Sequence, residues 1–149
     1  MEIGLPISCL GLLLRAWATG HLAKDQRLAT SGPYAYIRNP LYAGTLIVAV
    51  GVVVASRNVW LALIFAAVFL LVYLPTIELE EQHLCGKFPE YATYANTVPR
   101  LIPFRRWSGE RRAFSWALYR RNKEHKALLG FLLAVAWLVV AYWADCCAP

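Results

Sequence analysis

Three polar segments interrupt an apolar chain, and they hold the residue types best suited to chemistry. Residues 27–42 combine a Gly32-Pro33 turn, Tyr34 and Tyr42, and the step Arg38-Asn39-Pro40 placed directly before a long apolar run. Some 36 residues later come Glu78, Glu80 and Glu81, and then Val98-Pro99-Arg100-Leu101-Ile102-Pro103. Adjacent carboxylates near a low-dielectric boundary repel one another, so they require a cation or must take up a proton. Arg38 and Arg100 are the cations available within the chain. An ammonium- or sulfonium-bearing ligand is the one available from outside. Glu78 and Glu81 also read as parts of a solvated juxtamembrane helix face.

The elements that must position these groups are helical. A residue before proline is disfavoured in helical backbone, so Asn39 is expected to cap a helix whose first residue is Pro40. The amides and dipole at such a start favour an anionic group, and Gly44 permits close approach by a neighbouring helix or ligand.

With 59% hydrophobic residues and only 16% charged ones, the chain is hard to reconcile with a soluble domain of 149 residues. Its mean hydropathy of +0.46 agrees. Apolar runs at 3–18, 41–55, 59–74 and 127–143 predict an all-α, multi-pass membrane bundle of four spans in one domain, 1–149. The first run has Glu2 in place of a basic leader, so it is expected to be a retained helix and not a signal peptide. Of the 15 Lys and Arg residues, 13 lie after the first run or after the third, which predicts that both of those segments face the cytoplasm. Ser56-Arg57-Asn58 is then a tight hairpin on the opposite side, together with both termini. All three polar segments share the cytoplasmic side.

The ordered motifs T-S-G-x-Y, R-N-P-x-Y-x-G, E-E-x-x-L, F-x-x-Y-x-x-Y and V-P-R-x-I-P, with a two-span hairpin between the second and third, resemble the isoprenylcysteine carboxyl methyltransferase and phospholipid methyltransferase family over residues 19–104. The resemblance implies a methyltransferase that uses S-adenosylmethionine, held between the cytosolic helix ends, with a lipophilic acceptor arriving from the bilayer. Carried over by position, the cofactor would meet Gln26, Arg27, Leu28 and Ala29, then Tyr34, then Asn39, Pro40, Leu41 and Tyr42, and Glu80 on the extension of the third span. Val98, Pro99 and Arg100 would close over it. Glu80 would pair with the amino group of the methionine moiety, amides near Pro40 and Leu41 would receive its carboxylate, and tyrosine rings would flank the sulfonium. Methyl transfer of this kind is an in-line displacement that asks mainly for alignment in a water-poor site and uses no metal.

Three departures bear on the acceptor. Asn39 stands where many relatives have His, Thr76 where the prenylcysteine enzymes have an acceptor-binding Arg, and Phe88-Pro89 where Phe-Gly is common. A site without that Arg suits an uncharged acceptor or an amine, leaving lipid amine, thiol and isoprenoid carboxylate as open choices.

His21, His83, His125 and the cysteines at 9, 85, 146 and 147 form no spaced ligand set for zinc. Cys146-Cys147-Ala148-Pro149 resembles a prenylation box only superficially, because Pro is a poor last residue. The basic, aromatic-bearing segment 105–126 would suggest nucleic acid in a soluble protein, but tethered between spans it predicts an interfacial helix among anionic headgroups, with no nucleic-acid partner. It could also serve as an entrance for the lipid substrate. Two other classes compete with the methyltransferase. A reductase of lipidic double bonds would bind NADPH in place of the methyl donor. A small four-helix transporter would need an ionisable group inside a span. Arg15, near the end of the first run, is expected to snorkel to the interface.

Overall fold

The computed structural model describes residues 2–24, 26–103, 107–108 and 112–147. Phe104, Arg105, Arg106, Arg111 and the terminal Ala148 and Pro149 lie outside the described residues, as do the side chains of Cys146 and Cys147. Among the described residues the chain is helical, without strands. In order come α1 (Gly4–Thr19), a 3-10 turn at Gly32–Ala35, α2 (Pro40–Ser56), α3 (Val59–Lys87), α4 (Tyr91–Thr97), α5 (Trp116–Arg121) and α6 (His125–Cys147).

Small residues bring α1 and α2 together. Gly4, Ser8 and Gly11 on α1 face Gly44, Val48 and Gly51 on α2. A Cβ at Gly11 would stand 2.6 Å from the Gly44 carbonyl oxygen, and one at Gly51 would stand 2.5 Å from that of Gly4. Ser8 Oγ donates to Val48 O at 3.0 Å across the same seam. Backbone approach of this kind, which small residues permit, supplies the packing contacts that hold the two helices.

At the other end of α2, Arg57 takes left-handed backbone (φ 51°) to stop the helix. Asn58 Oδ1 accepts from Trp60 N (2.9 Å) and Leu61 N (3.3 Å) to start α3, so the 56–58 hairpin stands as expected. The helix of the third apolar run continues past Leu74, as the expected extension carrying Glu80 requires. Proline clashes with the carbonyl four residues before it, which for Pro75 is Leu71. A π-helical turn over Phe69–Tyr73 widens the backbone there, and the helix continues to Lys87. The acidic cluster therefore sits on the same rigid rod as the apolar run.

Length separates the four expected spans. The 29-residue α3 is long and apolar enough to cross a membrane. The 16-residue α1 and 17-residue α2 reach only about 25 Å at a helical rise of ~1.5 Å per residue. Leu128–Trp137 within α6 is a further short apolar stretch. Within the expected interfacial segment, the described residues include the six-residue α5, capped by Ser115 and followed by a left-handed Lys123 (φ 55°) that turns the chain into α6.

Candidate functional site

The site is built on a buried carboxylate. Glu81, on α3, is 6% exposed and is met from three sides. Asn39 Nδ2 donates to its Oε1 at 2.9 Å, Arg100 Nε donates to its Oε2 at 3.0 Å, and Arg38 Nη1 lies 3.5 Å from the same Oε2. Arg100 reaches on through Nη2 to Glu78 Oε2 at 2.7 Å. Two carboxylates are thus balanced by two guanidinium groups, and Glu81 chiefly holds Arg100 protonated beyond its ordinary range. The main chain adds two rungs, as Arg38 N donates to Pro99 O (2.8 Å) and Asn39 N donates to Arg100 O (3.1 Å). All three polar segments meet in this knot.

Two expectations are revised here. Glu81 is not a solvated helix-face residue, because a buried carboxylate with this partner set is a structural keystone. Asn39 occupies the cap position of α2, but its side chain makes no capping bond and goes to Glu81 instead. Pro40 has no N–H and the Asn39 N–H is taken by Arg100, so the first-turn amides of Leu41 and Tyr42 are left without a side-chain cap. The amides near Pro40 and Leu41 without a side-chain cap are therefore those of Leu41 and Tyr42.

Glu80, one residue earlier, behaves differently. It is exposed, and among the described residues its hydrogen-bond donor is Tyr42 Oη at 2.9 Å. Tyr42 meets Tyr73 edge-on at 5.7 Å between centroids, and Tyr73 stacks on Phe69 at 6.0 Å. Phe69 in turn lines an apolar cavity of about 360 Å³ between α2 and α3, walled by Leu46, Val50, Ala62, Ala66 and Leu70. A chain of aromatic contacts therefore runs from an available carboxylate to an apolar cavity. The π-helical turn contributes by setting Tyr73 toward Tyr42, and such turns recur at functional sites.

α4 clamps the Gly-Pro turn from behind. Tyr94 Oη donates to Tyr34 O at 2.6 Å, and Tyr91, Tyr94 and Val98 form a buried cluster against Leu28, Phe88 and Trp107. Burial raises the Tyr34 and Tyr94 phenols well above the usual range and pushes Tyr91 up to about 12, with the Glu81 charge adding to the last. All three rings are neutral at physiological pH. Gly32, at φ 61°, makes the turn possible and leaves room for the His21 ring against it.

Of the residues assigned by resemblance, Asn39, Pro40, Leu41, Tyr42, Glu80, Val98, Pro99 and Arg100 come together at this end of α2 and α3. Tyr34 joins them through Tyr94, and Leu28 through the buried cluster, with Ala29 beside it in sequence. Gln26 and Arg27 are exposed, and among the described residues no hydrogen bond ties either side chain to the knot. Sequence reasoning assigned the cofactor no contact with Glu81, Arg38 or Tyr73. The signal for the first two was their opposite charge, and for Tyr73 its place just before Pro75. Arg15, near the end of α1, has partners inside the fold. Its guanidinium pairs with Glu124 at 2.7 Å and donates to Thr45 Oγ1 and Leu41 O.

The chain is 31% identical over 103 residues to the cobalt-zinc-cadmium resistance protein CzcN of Cupriavidus metallidurans, covering 68% of this chain and 46% of that one. It is 32% identical over 103 residues to the nickel-cobalt-cadmium resistance protein NccN of Alcaligenes xylosoxydans xylosoxydans, covering 68% and 47%. It is 34% identical over 108 residues to the protein-S-isoprenylcysteine O-methyltransferase of Schizosaccharomyces pombe, covering 64% and 46%. The chain thus spans about half the length of the curated relatives it matches. No solved structure matches it. The family model for phospholipid methyltransferases matches residues 4–90, a stretch that runs from the glycine seam of α1 through the Arg38-Asn39-Pro40 step and both glutamates of the knot. The chain belongs to the phospholipid methyltransferase family.

Proposed function

We propose that the chain is a membrane methyltransferase that binds S-adenosylmethionine at the joined ends of α2 and α3 and transfers its methyl group to a lipophilic acceptor. One observation carries this reading: two neighbouring carboxylates have separate duties. Glu81 is consumed in holding the three motifs together, while Glu80 stays exposed beside Tyr42. Glu80 is free to take the ammonium of the methionine moiety, and the uncapped amides of Leu41 and Tyr42 suit its carboxylate. Tyr42 and Tyr73 offer ring faces to the sulfonium. S-adenosylmethionine supplies an electrophilic methyl, and the acceptor's lone pair forms the new bond as the carbon–sulfur bond breaks and leaves S-adenosylhomocysteine.

The cavity between α2 and α3 suits the acceptor's apolar chain, with its reactive end near Tyr73 and Tyr42. In this reading α1, α2, α3 and α6 are the four spans, the short ones completed by flanking residues, and the site faces the cytoplasm where the basic segments lie. A lipid amine, a thiol or an isoprenoid carboxylate all fit the chemistry. The family match and the relative from Schizosaccharomyces pombe support methyl transfer, and no observation favours the reductase or the transporter.

Incubating the purified protein with methyl-labelled donor and membrane lipid extract should yield a labelled lipid product. Ala66→Phe, which puts a ring into the cavity, should lower that incorporation about tenfold or more while leaving donor affinity unchanged. Full incorporation in the filled variant would place the acceptor elsewhere, and NADPH consumption without methyl transfer would support the reductase.

A further inference from the structure

Arg15 spends its whole guanidinium on contacts that join α1, α2 and the turn just before α6. Nε and Nη2 donate to the two oxygens of Glu124 at 2.7 and 3.1 Å, a bidentate fork. Nη1 donates to Leu41 O at 3.3 Å and to Thr45 Oγ1, both on the first turns of α2. Thr45 Oγ1 itself donates to Leu41 O at 2.9 Å. Glu124, 7% exposed, is delivered from just before α6 by the left-handed Lys123. The preceding residues are fastened to the end of α1, where Asn122 Nδ2 donates to Thr19 O and Leu22 O at 2.9 Å each and Ser115 N donates to Gly20 O at 2.9 Å. Leu41 and Tyr42 lie on the turn that Arg15 grips, and both belong to the proposed donor site.

We infer that Glu124 is a positioning residue of the donor site: by fixing the Arg15 guanidinium against Leu41 and Thr45, it sets where the first turn of α2 and the Tyr42 hydroxyl stand. Glu124 lies beyond residues 4–90, so the segment after the family-matched region completes the site from behind. The Tyr34 phenol falls within the electrostatic reach of Glu80 and of both Arg15 and Glu124. The inference rests on the donor-binding reading, but the geometry it requires can be measured without donor.

The test uses Glu124→Gln, Arg15→Lys and the double variant R15M/E124M in the full chain. The single changes remove the fork and should weaken S-adenosylhomocysteine binding about tenfold. The double change removes both buried charges together, which often restores stability, but it leaves Leu41 and Thr45 ungripped. It should therefore melt near the unmodified protein and still bind the ligand as weakly as the single variants. Recovery of affinity along with stability would show that the pair only holds the fold, and would overturn the positioning role. Hydrogen exchange without ligand provides the second arm: in all three variants the amides of residues 43–45, which bond back to the first turn, should exchange faster while the distal half of α2 does not change. Unaltered exchange there overturns the inference whether or not donor binds, whereas faster exchange with no binding by the unmodified protein would fault the donor reading alone.

Discussion

Glu81→Ala should destabilise the protein by about 3 kcal/mol or more, the usual cost of breaking a buried ion pair from one side. The change strands Arg38, whose side chain is 15% exposed, and leaves Asn39 Nδ2 without its acceptor inside the fold. Arg100 suffers less, because it is half exposed and keeps Glu78. The loss should therefore appear as detachment of the Val98-Pro99-Arg100 segment from Arg38 and Asn39, read as early thermal unfolding in detergent and as protease cleavage near residue 100. Glu81→Gln should fall between the two, since an amide oxygen can still accept from Asn39 but offers no charge to the guanidinium groups. A Glu81→Ala protein as stable as the original would mean that the three segments are held by something other than this carboxylate.

A second large loss is expected at the seam between α1 and α2. Gly11→Val would drive a side chain toward the Gly44 carbonyl oxygen and Val48 N, which are backbone atoms and cannot swing aside. Overpacking of a tight interface costs ~1–3 kcal/mol, and here separation of the helices also drags Arg15, one turn further along, away from Leu41. Stability and donor affinity should therefore fall together. Gly130 on α6 supplies the control: nothing lies within 4 Å of its would-be Cβ, so Gly130→Ala should be neutral or stabilising by up to ~1 kcal/mol. Thermal unfolding of the two variants side by side decides the matter, and equal behaviour would show that the seam is not tightly packed.

The local features of this fold were legible in the residues, and the tertiary ones were not. Asn39-Pro40 marks a helix start because proline acts on its immediate neighbours, and α2 begins where that rule places it. Ser56-Arg57-Asn58 reads as a hairpin because so short a link between two apolar runs must reverse tightly. The extension of the third span past Pro75 follows from the resemblance, whereas the π-helical turn that accommodates the proline has no mark in the sequence beyond Pro75 itself. Glu80 and Glu81 are indistinguishable by type, and only the direction each faces on α3 separates a free carboxylate from a buried one. Arg15 and Glu124 stand 109 residues apart, and no periodicity or spacing connects them. The resemblance supplied the neighbourhood of the site, while the partners of Asn39 came from the coordinates alone.

In the proposed site Glu80, and not the acidic cluster as a whole, grips the donor. Calorimetric titration of S-adenosylhomocysteine into the detergent-solubilised protein tests it most directly, with Glu80→Gln and Glu78→Gln measured alongside. A charge-assisted hydrogen bond contributes ~2 kcal/mol, so Glu80→Gln should weaken binding roughly 30-fold. Glu78→Gln, which removes only an exposed pair with Arg100, should stay within a factor of about two. Equal losses in the two variants would contradict a specific Glu80 contact, and no heat of binding in the unmodified protein would contradict the donor site itself.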